Sequence, residues 1–330
     1  MSLSVGIVGL PNVGKSTLFN ALLAKQQAYV ANYPFATIEP NVGIVPVPDD
    51  RLPVLAEIVK TEKIVPATVR FVDIAGLVKG ASQGEGLGNK FLSHIREASV
   101  IAHVVRVFKD EKVVKEGMVD PKSDFETIKT ELELADLEMI EKSEKKSRVK
   151  TVEKASEVVL PLLAQKPSMI VLNVGEEELK RAGDLEREHA KLLGADEEQV
   201  VAICAKVEEE LTELNQEERG EYLSSLGVYE SGLVRLIKKA YTMLGLMSYL
   251  TAGEKEVRAW TIKQGMKAPQ AAGVIHTDFE KKFIAAKVCS YADFVEYQGW
   301  KGAAEKGKVR TEGKEYEMRE GDTVEFMIGS

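Results

Sequence analysis

One short motif constrains this chain more than any other feature, the run G-L-P-N-V-G-K-S-T at residues 9–17. An apolar segment at residues 3–8 precedes it, and a helical pattern at residues 18–23 follows it. A buried strand before the motif and a helix after it form the context in which G-x-x-x-x-G-K-[ST] binds phosphates. The motif therefore predicts a nucleotide-binding protein, because a plain glycine turn would leave the lysine and the serine unexplained.

The known geometry of such loops predicts what the side chains of the motif bind. Successive backbone N–H groups turn inward around phosphate oxygens, and the following helix presents its positive end. We expect Lys15 to reach the β and γ phosphates, Ser16 to offer its hydroxyl to Mg²⁺, and Thr17 to contact the phosphates further in. The residues predicted to bind the nucleotide here are Asn12, Val13, Gly14, Lys15, Ser16 and Thr17.

Length and composition fit a globular protein of two or three domains. The chain has 330 residues, of which 44% are hydrophobic and 29% are charged, so it can bury a sizeable core. The net charge of −8 argues against a protein that coats nucleic acid by charge alone, although a local basic face stays open. Cys204 and Cys289 lie in apolar runs without metal-ligand spacing, which predicts core residues and a reducing compartment.

The start of the chain and its apolar runs bear on its location. The chain leads directly into a strand-like run without a basic and apolar leader. No apolar run reaches the ~20 residues that are needed to span a bilayer. We therefore expect a cytoplasmic protein with no membrane partner, and we take it to be a monomer.

Apolar strand candidates recur with helical patterns between most of them, at residues 3–10, 68–74, 100–108, 168–174 and 200–205. Such runs, rich in valine and isoleucine, indicate a parallel sheet covered by helices on both faces. The predicted fold class is α/β, a doubly wound domain that binds ligands at the carboxyl ends of its strands. His103, which lies between Ala102 and Val104 in one of these runs, is expected to be a satisfied core residue.

Two segments after the first helix have the pattern of nucleotide-sensing switches. In the first, Thr37 is predicted to complete the Mg²⁺ shell when the γ-phosphate is present; an ordinary polar loop residue is the alternative. The second is a D-x-x-G pattern, in which Asp73 is predicted to lie near the metal and the N–H of Gly76 to sense the γ-phosphate. Leu77 follows where a Ras-type switch has its water-positioning glutamine, so the usual water-orienting amide is missing.

The predicted base site departs from the guanine pattern. GTP-binding switches read N-K-x-D at this position, and the aspartate accepts two hydrogen bonds from guanine. Here the run is N-V-G-E at residues 173–176; the longer glutamate should lose that geometry, so adenine is the better candidate. The later run I-C-A-K at residues 203–206 stands where the backbone of a base loop approaches the purine. The predicted base-binding residues are Asn173, Val174, Glu176, Cys204 and Ala205.

Two further regions differ in composition from the rest. Residues 124–165 interleave charged residues with leucines, which indicates one long helix or a hairpin that turns near residues 145–148, as a solvated face or a partner-binding arm. Short strands among glycines near the end of the chain indicate a small α+β domain. Its basic residues near Trp300 and Tyr316 form either an RNA contact or a solvated loop. We predict a nucleotide-binding domain at residues 1–123 and 166–245, a helical insertion at 124–165, and a C-terminal domain at 246–330.

Together these motifs resemble the YchF/EngD family of ribosome-associated ATPases, within the Obg-related P-loop switches. The resemblance covers nearly the whole chain. Besides the P-loop and N-x-x-E it rests on N-Y-P-F-A-T-I-E-P at residues 32–40, D-I-A-G-L-V-K-G-A-S at 73–82, K-E-V-R-A-W-T-I at 255–262 and H-T-D-F at 276–279. The last of these is similar to TGS domains, which have a ubiquitin-like β-grasp fold, and it implies a structural or recognition role for His276.

The resemblance implies an OBG-type nucleotide-binding domain with a coiled-coil arm, binding of ATP as well as or better than GTP, slow Mg²⁺-dependent hydrolysis, and association with the ribosome or a ribosomal subunit. We expect that association to include contact with ribosomal RNA. Lys15, Asp73 and Gly76 would then serve hydrolysis, with Mg²⁺ on Ser16 and Thr37. Asn12 raises a further hypothesis, that its amide oxygen helps to hold K⁺ beside the phosphates. An Obg-type GTPase and a nucleotide-gated RNA or ribosome adaptor with negligible catalysis remain the alternatives.

Overall fold

The structure of the protein is a computed structural model that describes residues 3–32, 41–74, 87–109, 119–149 and 162–329. It divides into two compact units, each discontinuous along the chain. Unit 1 comprises Met1–Val45 and Arg70–Leu236, and unit 2 comprises Pro46–Val69 and Ile237–Ser330.

The strands, in chain order, are β1 (Val5–Val8), β2 (Val42–Pro46), β3 (Ile64–Val65), β4 (Thr68–Asp73), β5 (Val100–Arg106), β6 (Ser168–Asn173), β7 (Val200–Ile203), β8 (Leu246–Ala252), β9 (Val257–Lys263), β10 (Phe283–Ser290), β11 (Arg310–Glu312) and β12 (Asp322–Ile328). The helices are α1 (Lys15–Asn32), α2 (Arg51–Val59), α3 (Leu87–Glu97), α4 (Pro121–Val149), α5 (Ala182–Leu193), α6 (Ala205–Glu210), α7 (Gln216–Ser225), α8 (Gly232–Met243), α9 (Ala268–Ile275), α10 (Thr277–Lys281), α11 (Tyr291–Glu296) and α12 (Trp300–Glu305). Two short 3-10 helices lie at Glu176–Arg181 and Glu197–Gln199. None of the helices in the described parts of the chain is both long enough and apolar enough to cross a membrane.

Unit 1 is built on a six-stranded sheet with the order β2-β4-β1-β5-β6-β7. The strands β4, β1, β5, β6 and β7 run parallel to one another. The five strands predicted from apolar runs are confirmed, and each observed end lies within two residues of the predicted one. The predicted α/β class with a doubly wound sheet is therefore confirmed.

Helices cover this sheet through continuous apolar clusters. α3 and α4 contribute Ile95 and Ile128, which pack with Ile101 of β5. α5 and α6 contribute Leu185 and Val207 to a second cluster with strands β5, β6 and β7. Each buried side chain of this kind stabilises the fold by ~1.5–3 kcal/mol, which is what holds the helices on the sheet.

Up to Val149 the predicted insertion is one continuous helix, α4. α4 runs through residues 145–148 to its end at Val149, so the alternative of a hairpin turn at those residues is wrong. Asp136, which the sequence suggested as part of a charged helical face, is only 5% exposed. Its carboxylate accepts hydrogen bonds from the backbone N–H groups of Leu163 at 2.8 Å and Ala164 at 2.9 Å. The middle of α4 is thereby tied to the chain that returns towards β6.

Unit 2 contains a second six-stranded sheet, with the order β11-β10-β12-β8-β9-β3. β8 and β9 form an antiparallel hairpin, β10 pairs antiparallel with β12, and β12 pairs parallel with β8. α9 follows the hairpin and packs on the sheet, where Ala268 and Ala272 share a cluster with Tyr249. A hairpin, a helix and a last strand beside the first one make a β-grasp arrangement, the fold that the resemblance implies for this part of the chain.

Residues 46–69 belong to unit 2, whereas the sequence analysis places them in the nucleotide-binding domain. β3 pairs in parallel with β9, and Leu52 and Leu55 of α2 are buried at 2% and 0% exposure. Local patterns give no sign of this, because β3 has only two residues and its partner strand lies far along the chain.

Candidate functional site

Two glycines of the P-loop lie where a side chain does not fit. A Cβ on Gly9 would lie 2.6 Å from the carbonyl oxygen of Val104, and a Cβ on Gly14 would collide with Nδ2 of Asn173. Gly14 also has a φ of +97°, a conformation that residues with a side chain rarely adopt. The loop joins β1 to α1, which begins at Lys15, so the strand, the turn and the helix predicted around the motif are all present.

Lys15 and Asp73 form the charged centre of the site. Lys15 is 9% exposed, and its Nζ donates to the carbonyl oxygen of Leu10 at 2.9 Å. Burial lowers the pKa of Lys15, and the Asp73 carboxylate acts in the opposite direction. Burial likewise raises the pKa of Asp73, and the ammonium of Lys15 opposes that change. Each charge therefore stabilises the other in surroundings that disfavour both.

One oxygen of Asp73, Oδ1, is buried and has no hydrogen-bond partner among the described residues. Leaving a buried acceptor without a partner costs about 1–3 kcal/mol, so an incoming group that satisfies this oxygen would be favoured. Mg²⁺ prefers oxygen ligands and usually keeps several waters. Ser16 is exposed in the first turn of α1 and can supply a second oxygen, so the residues present fit this metal.

Asn173 joins the P-loop to the base loop. Its Nδ2 donates to the carbonyl oxygen of Val13 at 2.9 Å, and its Oδ1 accepts from the N–H of Ala205 at 3.0 Å. Asn173 is 6% exposed, so both hydrogen bonds are shielded from water. The structure thus brings together four of the predicted nucleotide-binding residues, Val13, Gly14, Asn173 and Ala205.

Of the other predicted base-site residues, two are buried in the core and one is exposed. Val174 and Cys204 are 1% and 4% exposed and belong to one apolar cluster, and burial raises the pKa of the Cys204 thiol. Glu176 is exposed at the start of its 3-10 helix, so its carboxylate is accessible to a ligand. The lysine of the guanine pattern would have to be buried at the position of Val174, which is costly for a charged group.

His103 lies on β5 opposite Val8, the last residue of β1. It is 5% exposed, and its ring stacks on Phe125 of α4 with the ring centroids 5.0 Å apart. The prediction of a core residue is confirmed, but the prediction that it is satisfied is wrong, because Nε2 has no hydrogen-bond partner in the described ranges. Burial, reinforced by the positive Lys15, lowers the pKa of His103 to about 3, so the ring is neutral.

Thr37, Gly76 and Leu77 lie outside the described residues, so their roles stay predictions. Sequence reasoning missed Arg106 at the end of β5, which is 2% exposed. Its guanidinium lies 4.4 Å from the ring centroid of Phe108, and its Nε donates to the Phe108 carbonyl oxygen at 3.2 Å. A lone arginine at the carboxyl end of a mostly apolar strand is the signal that could have identified it.

The aromatic residues considered for RNA stacking are engaged within unit 2. Nε1 of Trp300 donates to the carbonyl oxygen of Ala252 at 3.2 Å. The hydroxyl of Tyr316 donates to Oδ2 of Asp322 at 2.8 Å. These contacts favour a structural role for both rings over stacking on RNA.

His276 has a structural role, one of the two roles that the resemblance to TGS domains implies. It is the residue that precedes α10, and its Nδ1 accepts a hydrogen bond from the N–H of Asp278 at 3.2 Å. The ring also packs against Phe279, with the centroids 5.7 Å apart. His276 therefore caps a helix.

Residues 4–174 match the family model of the 50S ribosome-binding GTPase, and residues 246–329 match the family model YchF-GTPase_C, described as a protein of unknown function. A Bacillus subtilis protein named ribosome-binding ATPase YchF is 49% identical to this chain over 99% of both chains. A protein of the same name from Escherichia coli O157:H7 is 47% identical, again over 99% of both. The solved structure of the Schizosaccharomyces pombe YchF GTPase has a TM-score of 0.85 at 37% identity and covers 98% of this chain and 97% of that chain.

Proposed function

This chain belongs to the YchF family, and from that premise we propose that it is a Mg²⁺-dependent ATPase that associates with the ribosome. The relatives from Bacillus subtilis and Escherichia coli O157:H7 are named ribosome-binding ATPases, whereas the Schizosaccharomyces pombe relative is named a GTPase. The choice of base therefore has to be argued from the residues of this chain.

One hydrogen bond carries the argument for adenine, the bond from the N–H of Ala205 to Oδ1 of Asn173 at 3.0 Å. Guanine presents an acceptor at its six position, O6, whereas adenine presents an amino donor there. A base-loop N–H is the donor that would bind O6, and in this chain Asn173 already occupies it. The exposed carboxylate of Glu176 can accept from the amino group of adenine, whereas its extra methylene disfavours the two hydrogen bonds that an aspartate accepts from guanine.

The site residues support transfer of the γ-phosphoryl group to water by charge stabilisation. Lys15 and the P-loop N–H groups would bind the β and γ phosphates, and Mg²⁺ would be held by Ser16 close to Asp73. Bound Mg²⁺ supplies positive charge that neutralises the phosphates as the transition state forms. The buried, unpartnered Oδ1 of Asp73 is the observation that supports a metal at this position.

Intrinsic hydrolysis should be slow, because Leu77 has no polar atom with which to orient a water molecule. The sequence pattern alone supports two further roles, with Thr37 completing the Mg²⁺ shell and the N–H of Gly76 binding the γ-phosphate. K⁺ held beside the phosphates with the help of Asn12 would supply charge in place of an arginine finger.

Association with the ribosome is proposed from the names of the relatives, and a cytoplasmic location is proposed together with it. The basic side chains of unit 2 are the candidates for contact with ribosomal RNA. Lys308 and Arg310 are paired with Asp293 at 3.1 Å and with Glu312 at 3.5 Å. The exposed lysines nearby are the better candidates for phosphate contacts, Lys301, Lys306 and Lys314.

A titration tests the choice of base. Purified, nucleotide-free protein is titrated with non-hydrolysable ATP and GTP analogues in Mg²⁺ and K⁺. We expect the ATP analogue to bind at least about tenfold more tightly, which corresponds to ~1.4 kcal/mol. Lys15→Ala should weaken binding of both analogues, and Lys191→Ala, on the exposed side of α5, is the matched control. Tighter binding of the GTP analogue would overturn the base argument in favour of an Obg-type GTPase.

A nucleotide-gated ribosome adaptor without meaningful catalysis is the second candidate, and Leu77 in place of glutamine is the observation that favours it. Phosphate release from ATP distinguishes the two. Release by the parent protein that is faster than release by Lys15→Ala supports the ATPase. Equal rates, with ATP binding intact in the parent, would decide for the adaptor.

A further inference from the structure

Two polar residues outside the sequence motifs lie beside the base loop, residues 203–206. Glu210 is the last residue of α6, the short helix that begins at Ala205 of that loop. Tyr222 lies on α7, and its hydroxyl donates to Oε2 of Glu210 at 2.7 Å. This hydrogen bond joins α7 to α6 within unit 1.

The ring of Tyr222 packs on the apolar cluster that supports the base site. Val174 and Cys204 of the predicted base site belong to this cluster, together with Val207 of α6. Cys204 directly precedes Ala205, whose N–H is the base-loop donor that would bind O6 of guanine. The Tyr222 ring therefore lies on the side of the site where the six position of a purine would be.

α7 is also held against the turn that carries Glu176. A Cβ on Gly227, which follows the C-cap of α7, would lie 3.4 Å from Cγ of Lys180, in the 3-10 helix that begins at Glu176. The hydrogen bond to Glu210 raises the pKa of Tyr222 to about 12, with smaller contributions from burial and from the charges of Glu210 and Glu176. The Tyr222 hydroxyl is thus near the carboxylate of Glu176 as well as that of Glu210.

The hydrogen bond to Glu210 determines what the Tyr222 hydroxyl can offer a ligand. A tyrosine hydroxyl has one hydrogen to donate and can also accept, whereas an ionised carboxylate only accepts. Tyr222 gives its hydrogen to Glu210, so its phenol oxygen is left as an acceptor. The other oxygen of Glu210, Oε1, lies 3.7 Å from the ammonium of Lys206, which also favours the ionised carboxylate.

We propose that Tyr222 selects adenine by accepting a hydrogen bond from its amino group, and that Glu210 positions the hydroxyl for this role. The inference rests on the proposed function in requiring that a purine nucleotide binds at residues 173–176 and 203–206. Adenine presents an amino donor at its six position, and guanine presents the acceptor O6 there. A phenol oxygen that can only accept therefore favours adenine and disfavours guanine.

Binding of ADP, IDP and GDP to the full chain in Mg²⁺ tests the role of Tyr222. The three ligands share the ribose and the phosphates, but ADP has an amino group at the six position and the other two have a keto oxygen. In Tyr222→Phe we expect ADP to bind about two- to tenfold more weakly, the range of one hydrogen bond, whereas IDP and GDP should lose no affinity. Tyr229→Phe is the matched control, because Tyr229 is fully exposed in the loop after α7, and it should leave all three affinities unchanged.

Glu210→Ala tests the positioning role, because it frees the hydrogen of Tyr222 and keeps the hydroxyl. The hydroxyl can then donate to O6, so we expect IDP and GDP to bind about two- to tenfold more tightly relative to ADP. A merely structural role of the pair would weaken all three nucleotides by the same factor. Glu209→Ala, at the exposed preceding position of α6, is the matched control and should keep the ratio of the parent.

The outcomes separate this inference from the proposed function. Equal changes of the ADP and IDP affinities in Tyr222→Phe, or no change in either, would overturn the role of Tyr222 and leave the proposed function intact. An unchanged ratio of ADP to IDP affinities in Glu210→Ala would overturn the role of Glu210. Failure of the parent protein to bind any of the three nucleotides would overturn the proposed function together with the inference.

Discussion

Nδ2 of Asn173 lies 2.9 Å from the carbonyl oxygen of Val13, so a residue at the end of β6 holds the loop that follows β1. The same side chain accepts from the N–H of Ala205, in the loop after β7. β1 and β6 are not neighbours in the sheet, because β5 lies between them. One amide therefore sets the positions of the predicted phosphate-binding and base-binding loops relative to each other.

Asn173→Ala should lower both nucleotide affinity and stability. It leaves the Val13 carbonyl and the Ala205 N–H without their buried partner, and each such group costs about 1–3 kcal/mol. We expect the free energy of unfolding, measured with urea, to fall by about 2–6 kcal/mol. The ATP analogue should bind more weakly, and the ratio of ATP to GTP analogue affinities should fall, because the N–H of Ala205 becomes free to bind O6 of guanine.

The matched control for that substitution is Asn215→Ala. Asn215 caps α7 at the surface, where its side chain accepts from Glu217 and Glu218 at 2.9 and 3.0 Å. Loss of this cap should cost about 1 kcal/mol and leave nucleotide binding unchanged. Equal losses of stability in the two variants would show that the bridge from Asn173 contributes no more than a surface cap.

Gly14→Ala should lower the free energy of unfolding by more than the strain of a positive φ alone would cost. The new Cβ would collide with Nδ2 of Asn173 and displace the bridge. Gly194 also has a positive φ, of +66°, but a Cβ there meets nothing within 4 Å. We expect Gly194→Ala to cost about 1–2 kcal/mol and Gly14→Ala about 3 kcal/mol or more, both measured by urea unfolding. Similar costs at the two sites would contradict the steric argument.

Features that are encoded in a short stretch of sequence could be predicted. The P-loop has a fixed spacing of Gly14, Lys15 and Ser16 after a strand, and each parallel strand is a continuous apolar run. The phosphate-binding loop, the sheet and the β-grasp strands β9, β10 and β12 could all be read from such local patterns.

Features that depend on distant partners could not be predicted. The two residues of β3 become a strand only beside β9, and Asp136 is buried only because the chain returns to it at Leu163. Asn173 was predicted to bind the base, but the geometry that joins it to Val13 is set by the tertiary fold. Nε2 of His103 has no hydrogen-bond partner among the described residues. This too depends on the tertiary fold, because the His103 ring packs against Phe125 of α4.

His103 should make the protein less stable in acid. Its pKa falls from the ordinary 6.5 to about 3 in the folded state. Above pH 6.5 neither state binds the proton; below it, the unfolded chain binds a proton that the folded chain excludes until the pH approaches 3. Stability should therefore fall by up to about 1.4 kcal/mol per pH unit below pH 6.5.

The measurement is urea unfolding between pH 7 and pH 5 for the parent protein and His103→Leu. The variant should show a shallower loss of stability with falling pH, since it removes the group responsible. His94→Leu removes an exposed histidine of α3 and should keep the slope of the parent. A parent and His103→Leu with the same slope would mean that the buried ring does not control acid stability.

Glu176→Asp should shift the base preference towards GTP without reversing it. A shorter carboxylate can approach the guanine donors, and a hydrogen bond to a charged group contributes about 1.5–3 kcal/mol. ATP should stay preferred because the N–H of Ala205 remains bound to Asn173. We expect the ratio of ATP to GTP analogue affinities to fall about tenfold. The control is Glu177→Asp in the same exposed 3-10 turn; an equal ratio in both variants would mean that the base is recognised elsewhere.

Asn12 provides the test of K⁺ dependence. Its φ is +59°, so alanine would introduce strain, and Asn12→Gly removes the amide while the backbone keeps its conformation. If the amide oxygen helps to hold K⁺ beside the phosphates, ATP turnover by the parent should be about tenfold faster in K⁺ than in Na⁺, the effect of ~1.4 kcal/mol on the barrier. Asn12→Gly should lose that difference.

Asn41→Gly is the matched control, since Asn41 is exposed with a φ of +58°, and it should keep the difference. Equal turnover of the parent in the two salts would remove the K⁺ hypothesis, and a difference that persists in Asn12→Gly would place the cation against other oxygens.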